Sequence, residues 1–418
     1  MISLMTQYFS KFIFLLILLL HGCGGGSGPG IASGGAGNGV TVFPPALPVA
    51  GSSFDNKNNT DAALNSPQIQ EITTSSPVGR SIPESLAFGD FFQESSFSAF
   101  VAVSQSGTAS KAYFLKKNAS GSWVDSTSSV LAEADRTVCA KVVQALTADF
   151  NNDGKPDIYV ACGGTSAVQQ VIFLSQASQS TYTRQETTGI SIQSWGAAAG
   201  DIDGDGRIDV VSSDGNGVVQ LTNNGVSNGV LSWSKKTQAQ MGITNLTDFP
   251  TMPRKVFLLP NAGGRPDLVV TGNGDQVNNT MVWLKNQSGA FNFNGNSLVS
   301  RIADNYSTAD VNGQPINATI FDLVINSSHL FVLVKNSTVE NASNASNMAI
   351  LRYELPKDTP GTQLNLITSS PTVALPSTVY QPSGGFVSQI KPNSSGQFVA
   401  YDAACVSTEQ RCSFVVTP

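Results

Sequence analysis

Short apolar runs separated by polar, turn-forming residues recur from about residue 66 to the end of the chain. The clearest copies span residues 145–164 and 197–215, and each reads as a strand, a tight acidic loop and a second apolar strand. Weaker copies keep this frame without the acidic residues and begin at Leu86, Val256, Ile320 and Ser388. Uninterrupted apolar runs of this length are typical of strands buried on both faces. The copies recur about every 60 residues, which predicts a repeat architecture.

Each repeat continues into a third apolar strand and usually a more polar fourth one. The third strands begin at Ala112, Val171, Gly217, Met281, Ala349 and Ser413. Four antiparallel strands in about 60 residues make one blade of a β-propeller. The pattern therefore predicts an all-β fold of six blades, with seven as the alternative count. The polar segment Gln68–Ser75 precedes the first repeat and is predicted to pair with the last one, which closes the ring.

The composition agrees with an all-β chain and excludes one class of partner. Only 12% of the residues are charged, and polar uncharged residues suited to turns are abundant. The net charge is -6, and the lysines and arginines are scattered rather than gathered into a basic stripe. A nucleic-acid partner is therefore not expected.

Two of the predicted hairpin loops carry the motif D-x-[DN]-x-D-G-x-x-D. The candidate metal ligands are Asp149, Asn151, Asp153, Lys155 and Asp157 in loop 1, and Asp201, Asp203, Asp205, Arg207 and Asp209 in loop 2. Side-chain oxygens fall at positions 1, 3, 5 and 9, and a tight loop that turns alternate residues inward suits calcium. Position 7, Lys155 or Arg207, is expected to offer its backbone carbonyl and to point its side chain to solvent. We therefore predict two structural calcium ions.

Other interpretations of these loops are weaker. An EF-hand would need a glutamate at position 12, where the chain has Val160 and Ser212 inside strand-like runs. A polar Asp-Gly turn without metal is the remaining alternative. The other four repeats lack the ligand set, so their loops are expected to be free of metal. Asp267, at position 9 of the fourth repeat, is interpreted as a turn residue.

The acidic repeats resemble the FG-GAP and VCBS repeat families, which occur in integrin α-chain propellers and in many bacterial surface proteins. The resemblance covers residues 66–418, but only the repeats around Asp149 and Asp201 match strongly. Seven blades are the commonest number in these families, so the count of six departs from them. The resemblance implies a propeller with the hairpin loops on one face and the entries to the first strands on the other.

Four cysteines in the repeat region suggest two disulfides in an exported protein. In the propeller frame, Cys139 precedes the first strand of its blade and Cys162 follows the second, so antiparallel pairing brings them together. Cys405 and Cys412 flank a short loop in the last repeat, and we predict that they form the second bridge. A zinc site is the alternative, although neither pair has C-x-x-C spacing.

The N-terminal region predicts export. Residues 1–22 read as a signal peptide with a short apolar run, and the end of this run resembles a bacterial lipobox that makes Cys23 a lipid anchor. An ordinary cleaved signal with an incidental cysteine is the alternative. Residues 23–65 are rich in glycine, serine and proline and read as a flexible tether. The expected location is the outer membrane or the cell surface, with the periplasmic side as the alternative.

No catalytic motif stands out, so the predicted function is a non-enzymatic binding or adhesion module for an extracellular or envelope protein or a glycan. Its ligand is expected on the face opposite calcium, where Arg136, Trp195 and Arg254 are the candidate contact residues. Trp195 could stack on a sugar or pack between blades. A polysaccharide-degrading enzyme of lyase type and a scaffold of an envelope complex are the alternative functions.

Overall fold

The computed structural model describes residues 83–94, 96, 98–105, 108–176, 179–215, 217–244, 249–250, 252–259, 264–272, 280–291 and 298–301. Beyond residue 301 it describes the backbone of seven strands and the side chains of Leu330 and Val332. Several predicted features lie outside these residues, namely the signal peptide, Cys23, the tether, the strand Gln68–Ser75, Cys405 and Cys412. Among the described residues, no helix is long and apolar enough to cross a membrane.

The first three sheets each contain four strands. Sheet 1 consists of β1 (Pro83–Gly89), β2 (Ser98–Gln105), β3 (Thr108–Lys117) and β4 (Trp123–Asp125). Sheet 2 consists of β5 (Val142–Ala148), β6 (Asp157–Cys162), β7 (Val168–Gln176) and β8 (Gln179–Ile192). Sheet 3 consists of β9 (Ser194–Gly200), β10 (Asp209–Asp214), β11 (Val218–Ser227) and β12 (Val230–Lys236). Two short 3-10 turns, Thr127–Ser129 and Glu133–Asp135, connect sheets 1 and 2.

Three further sheets follow along the chain. Sheet 4 consists of β13 (Pro253–Leu259), β14 (Asp267–Gly272), β15 (Thr280–Leu284) and β16 (Leu298–Arg301). Sheet 5 consists of β17 (Ala318–Ile325), β18 (His329–Asn336), β19 (Met348–Glu354) and β20 (Val373–Ala374). Sheet 6 has three strands in the described part of the chain, β21 (Ser388–Pro392), β22 (Phe398–Asp402) and β23 (Ser413–Val416). The chain is therefore all-β, and each predicted repeat corresponds to one sheet.

Every sheet is an antiparallel meander in which each strand pairs with the next strand along the chain. The first strands of consecutive sheets contact one another in series, from β1 through β5, β9, β13 and β17 to β21. Glycine permits this close approach between sheets 3 and 4, because a Cβ at Gly196 in β9 would lie 2.6 Å from the carbonyl oxygen of Arg254 in β13. The sheets therefore follow one another side by side, with their first strands adjacent.

Large aromatic side chains fill the spaces between neighbouring sheets. Phe114 of sheet 1 stacks on Tyr182 of sheet 2 with ring centroids 4.9 Å apart, and Phe150 of sheet 2 meets Trp233 of sheet 3 at 6.0 Å. The second strands β6 and β14 are buried at every position, as the apolar runs that follow their first aspartates predict. Full burial of a large apolar side chain contributes about 1.5 to 3 kcal/mol to the stability of the fold. Packing between the sheets therefore holds the meanders together.

A disulfide joins the segment before β5 to the end of β6. Cys139 and Cys162 are bonded, with their Cα atoms 6.2 Å apart, which confirms the predicted pairing. Cys162 pairs with Val142 in the antiparallel ladder, so the bridge closes the end of sheet 2 that lies away from the acidic loop. The disulfide therefore fixes the entry to β5 against the strand beside it.

Candidate metal centre

Both acidic motifs form hairpin loops between the first and second strands of their sheets. Loop 1 leaves β5 after Ala148 and enters β6 at Asp157, and loop 2 leaves β9 after Gly200 and enters β10 at Asp209. Position 9 is thus the first residue of the second strand, and Ser98, Asp267 and His329 occupy the same place in sheets 1, 4 and 5. The predicted repeat frame is therefore correct for these five sheets.

Loop 2 brings three carboxylates together. Ligand oxygens of Asp201, Asp203 and Asp205 all lie within 4.8 Å of one another. Oxygen donors so close together fit a hard divalent cation such as calcium, which takes its ligands at about 2.3 to 2.6 Å. Without a cation the three negative charges would repel one another. The donor set of loop 2 therefore fits the metal that the sequence predicts.

Backbone amides hold the first aspartate of loop 2 in place. The carboxylate of Asp201 accepts hydrogen bonds from the amide nitrogens of Gly204 at 2.7 Å, Asp205 at 3.1 Å and Gly206 at 2.9 Å. Gly204 and Gly206 have φ values of 78° and 85°, a left-handed conformation that glycine adopts without strain. The two glycines therefore let the chain wrap tightly around Asp201.

Loop 1 repeats this arrangement with an amide in place of one carboxylate. Asp149 accepts hydrogen bonds from the amide nitrogens of Asp153 at 3.1 Å and Gly154 at 2.8 Å. Asn151 accepts a hydrogen bond from the amide nitrogen of Asp153 at 3.0 Å, while its own Nδ2 donates to the carbonyl of Ser175 at 3.0 Å. Loop 1 thus carries one negative charge fewer than loop 2 around the same turn.

Asp157, at position 9 of loop 1, is fully buried and ties the loop to the third strand. One carboxylate oxygen accepts from the amide nitrogens of Phe150 at 2.7 Å and Asn151 at 3.2 Å. The other accepts from Ser175 in β7, through the amide nitrogen at 2.7 Å and the hydroxyl at 2.6 Å. Burial nevertheless raises the pKa of Asp157 to about 8, against the lowering effect of these hydrogen bonds.

Asp209 plays the same part in loop 2. Its carboxylate accepts from the amide nitrogen of Ile202 at 3.3 Å, from that of Asn223 in β11 at 2.9 Å and from Nε2 of Gln220 at 3.3 Å. Burial raises the pKa of Asp209 to about 7, and the nearby charges of the other loop aspartates add to this effect. A bound cation would offset the cost of keeping both buried carboxylates ionised.

The charged side chains at position 7 do not simply point to solvent, so that expectation was wrong. Nζ of Lys155 donates to the carbonyl of Gln176 at 2.9 Å, and Nε of Arg207 donates to the carbonyl of Asn223 at 2.7 Å. Arg207 also forms an ion pair with Asp205. Each cation binds a backbone carbonyl of the third strand, because antiparallel pairing brings that strand alongside the loop.

Sheet 4 uses its position 9 aspartate differently. Asp267 is a buried strand residue rather than a turn residue, which corrects the expectation from the sequence. It accepts hydrogen bonds from Nε1 of Trp283 at 3.0 Å and from the amide nitrogen of Asn286 at 2.9 Å. Nζ of Lys285 lies 3.4 Å from the same carboxylate. In sheet 4, whose loop lacks the acidic motif, the ammonium group of Lys285 therefore lies next to the position 9 aspartate.

Sheet 1 carries acidic residues in its first hairpin loop that do not form a complete motif. Asp90 and Glu94 occupy positions 1 and 5 of its loop, and the amide nitrogen of Glu94 donates to Asp90 at 2.9 Å, as in the acidic loops. Ser98 replaces the aspartate at position 9 and accepts from the amide nitrogen of Phe91 at 2.8 Å. Glu94 forms an ion pair with Lys116 at 2.7 Å. Counting back from the strand start at Ser98 would have identified this partial motif.

The predicted ligand-face residues lie at or before the entries to the first strands, away from the acidic loops. The guanidinium of Arg254, in β13, lies over the ring of Trp195, in β9, at 4.6 Å from the ring centroid. Arg136 forms an ion pair with Glu133 at 2.9 Å, and its side chain is only 14% exposed. The structure thus brings Trp195 and Arg254 together and agrees with packing of Trp195 between sheets 3 and 4.

The metal-free protein is expected to lose stability as the pH rises. Burial places the pKa values of Asp157 at about 8 and Asp209 at about 7, well above the ordinary 3.8, so the folded state binds more protons than the unfolded state in this range. The stabilisation from protonation is complete below the unfolded pKa and is lost as the pH rises through the folded pKa. Melting temperatures in EDTA should fall between pH 5 and pH 8. An unchanged or rising melting temperature would contradict this assignment.

Comparison with known proteins identifies the acidic repeats. Residues 149–212, which contain both acidic loops, match the family of FG-GAP-like repeats, and this confirms the resemblance seen in the sequence. No curated protein matches the chain.

Solved structures with a similar arrangement of strands include three proteins. An Agrocybe aegerita lectin that recognises non-reducing terminal N-acetylglucosamine is 14% identical, with a TM-score of 0.40 over 80% of this chain and 71% of that one. The six-bladed Aleuria aurantia lectin, which recognises fucose, is 11% identical. Its TM-score is 0.39, and the match covers 81% of this chain and 96% of the lectin. A Bacteroides fragilis protein proposed to be a 6-phosphogluconolactonase is 11% identical. Its TM-score is 0.43, and the match covers 80% of this chain and 87% of that protein. At these TM-scores the likeness supports no conclusion about this chain's ligand or reaction.

Proposed function

We propose that this chain is a non-enzymatic, calcium-stabilised binding module that recognises a protein or a glycan outside the cytoplasm. The observation that carries the proposal is the carboxylate cluster of loop 2, in which oxygens of Asp201, Asp203 and Asp205 lie within 4.8 Å of one another. The equivalent loop 1 differs in having Asn151 at position 3. Each loop takes one calcium ion through side chains at positions 1, 3, 5 and 9 and the backbone carbonyl at position 7.

The sheets form a six-bladed β-propeller in this proposal. The contacts between consecutive first strands support a ring, because each sheet presents its first strand to the next. Sheet 6 has three strands among the described residues, and the segment Gln68–Ser75 supplies its fourth. A strand from the other end of the chain closes the ring without leaving an open sheet edge.

Calcium has a structural rather than a catalytic role in this proposal. The loop aspartates are engaged with backbone amides, and Asp157 and Asp209 are buried behind the loops against the third strands. Such a site leaves little open coordination for a reacting molecule, unlike catalytic metal sites that keep a water position. When bound, calcium supplies the positive charge that the buried carboxylates lack.

Ligand recognition belongs to the face opposite the loops. Trp195 and Arg254 are adjacent there and combine an apolar ring with a cation. Arg136 is already paired with Glu133, which argues against the alternative of a lyase that uses Arg136 as its basic group. Export and attachment through Cys23 to the outer membrane or the cell surface complete the proposal.

A glycan array probed with calcium-loaded protein tests the proposed function. We expect binding without product formation, and Trp195→Ala and Arg254→Ala should each weaken it at least tenfold. Val230→Ser is the matched control, because Val230 is 55% exposed on the outer strand of sheet 3, away from this face. Release of unsaturated sugars would contradict the non-enzymatic function and support the lyase alternative. Equal loss of binding in all three variants would contradict the placement of the ligand site on this face.

A further inference from the structure

We infer that the two acidic loops bind calcium cooperatively and that Asn223 is the positioning residue that couples them. This inference rests on the proposed calcium sites. Neither motif considered alone shows a connection between loop 1 and loop 2. The coupling follows from hydrogen bonds that cross from sheet 3 to sheet 2.

Asn223 is a buried residue of β11 that contacts both loops at once. Its Nδ2 donates to the carbonyl oxygen of Phe150 in loop 1 at 2.8 Å and to that of Ile208 in loop 2 at 3.1 Å. Its amide nitrogen donates to the buried carboxylate of Asp209 at 2.9 Å. The side chain of Asn223 therefore joins the backbones of loop 1 and loop 2, and its amide nitrogen bonds the carboxylate that closes loop 2.

The connection continues into loop 1 as far as its own buried carboxylate. The amide nitrogen of Phe150 donates to Asp157 at 2.7 Å, while its carbonyl accepts from Asn223. A continuous chain of hydrogen bonds thus runs from Asp157 through Phe150 and Asn223 to Asp209. Buried networks of this kind transmit a displacement at one end to the other, because an unmade bond inside the protein is costly.

A second contact joins the outer parts of the loops. Nδ2 of Asn152, at position 4 of loop 1, donates to the carbonyl oxygen of Gly206 at 3.4 Å in loop 2. Asn152 has a φ of 57°, in the left-handed region that asparagine tolerates. The two loops therefore touch both at their buried bases and at their exposed tips.

These contacts favour positive cooperativity. An ion in loop 2 fixes Asp209, and through Asn223 it also fixes the Phe150 peptide of loop 1. Binding of the second ion then costs less conformational entropy, because its loop is already ordered. Linkage is reciprocal, so an ion in loop 1 favours binding in loop 2 by the same factor.

The chain provides a matched control for this residue. Asn286 occupies the equivalent place in sheet 4, where its Nδ2 donates to the carbonyls of Ile202 at 2.9 Å and Pro266 at 3.0 Å. Its amide nitrogen donates to Asp267. Asn286 therefore supports loop 2 from the other side but connects it to a loop without the acidic motif. Its removal should change the affinity of loop 2 without changing the coupling between the two calcium loops.

Calorimetric calcium titration of the full chain tests the coupling. Asp203→Ala leaves loop 1 alone, Asp149→Ala leaves loop 2 alone, and the wild type gives the overall constant for both ions. The overall constant divided by the product of the two single-site constants is the coupling factor. We expect a factor of about 5 or more in the wild type, within the usual range of coupling between sites.

Asn223→Ser should bring this factor close to one. Serine stands at the equivalent place in sheet 2, where Ser175 also donates its amide nitrogen to the position 9 aspartate, so the substitution suits the fold. Asn286→Ser should keep the wild-type factor. If Asn223→Ser does not fold, Asn152→Gly, which retains the left-handed backbone, should lower the factor instead.

The outcomes separate the inference from the proposed function. A wild-type factor of one, or a factor unchanged by Asn223→Ser, overturns the coupling while both calcium sites stand. An equal fall of the coupling factor in Asn286→Ser would show that Asn223 is not specific to the coupling, and this result also overturns the inference. Absence of calcium binding in the wild type is the distinct result that overturns the proposed sites themselves.

Discussion

Asp157→Ala and Asp209→Ala are each expected to abolish the gain in stability that calcium gives through one loop. A ligand that binds only the folded state stabilises it by about 2.7 kcal/mol when its concentration is 100 times Kd. Each variant removes a buried position 9 carboxylate that is the proposed ligand and also ties its loop to the third strand. Thermal unfolding followed by circular dichroism, in calcium and in EDTA, measures this difference for each variant. The double variant should unfold at the same temperature in both buffers.

The two variants should differ less from the wild type in EDTA than in calcium. Loss of the carboxylate leaves backbone amides unpaired, at about 1 to 3 kcal/mol each, but it also removes a charge that is costly to bury. Asp267→Ala is the matched control, because Asp267 begins the second strand of a sheet without an acidic loop. It should lower the melting temperature in both buffers and leave most of the calcium effect in place. Retention of the full calcium effect in the Asp157/Asp209 double variant would contradict the assignment.

Removal of the disulfide by Cys139→Ser with Cys162→Ser is expected to cost about 3 kcal/mol. The bridge closes a loop with a sequence separation of 23 residues. It also holds the segment that joins sheets 1 and 2, since the carbonyl of Cys139 accepts a hydrogen bond from the amide nitrogen of Ser110 at 2.8 Å. The free energy of unfolding, measured by denaturant titration, should fall by this amount in the double variant.

The effect of the disulfide should not depend on calcium, because the bridge lies at the end of sheet 2 away from loop 1. The double cysteine variant should therefore keep the full gain in melting temperature on addition of calcium. A reducing agent should lower the stability of the wild type and leave the variant unchanged. A wild-type protein that is equally stable with and without reductant would contradict a stabilising role for the bridge.

The repeat frame could be predicted from the sequence because its signals are local. The apolar run after each loop follows position 9, and the second strand begins at position 9, namely at Ser98, Asp157, Asp209, Asp267 and His329. The Cys139–Cys162 bridge followed from the same frame, since the two cysteines flank one antiparallel pair. Neighbouring residues thus determined the strands, the loops and this bridge.

The supporting residues of the site could not be predicted, because their roles depend on pairing with the third strand. Ser175 binds Asp157 across 18 residues of sequence, and Asn223 binds Phe150 across 73. Neither belongs to a motif, and only the strand register brings them to the loops. Asp267 was misinterpreted for the same reason: its partner Trp283 lies on β15 and its partner Asn286 lies just after that strand. Local patterns predict the candidate ligands but not the residues that hold them in place.

Metal analysis of the purified chain after equilibrium dialysis against calcium tests the central claim most directly. The structure places two loops of matching geometry in adjacent sheets, and only these two carry the complete motif in the sequence. We expect two calcium ions per wild-type chain and none in the double variant of Asp157 and Asp209. A stoichiometry near zero in the wild type would contradict the two calcium sites.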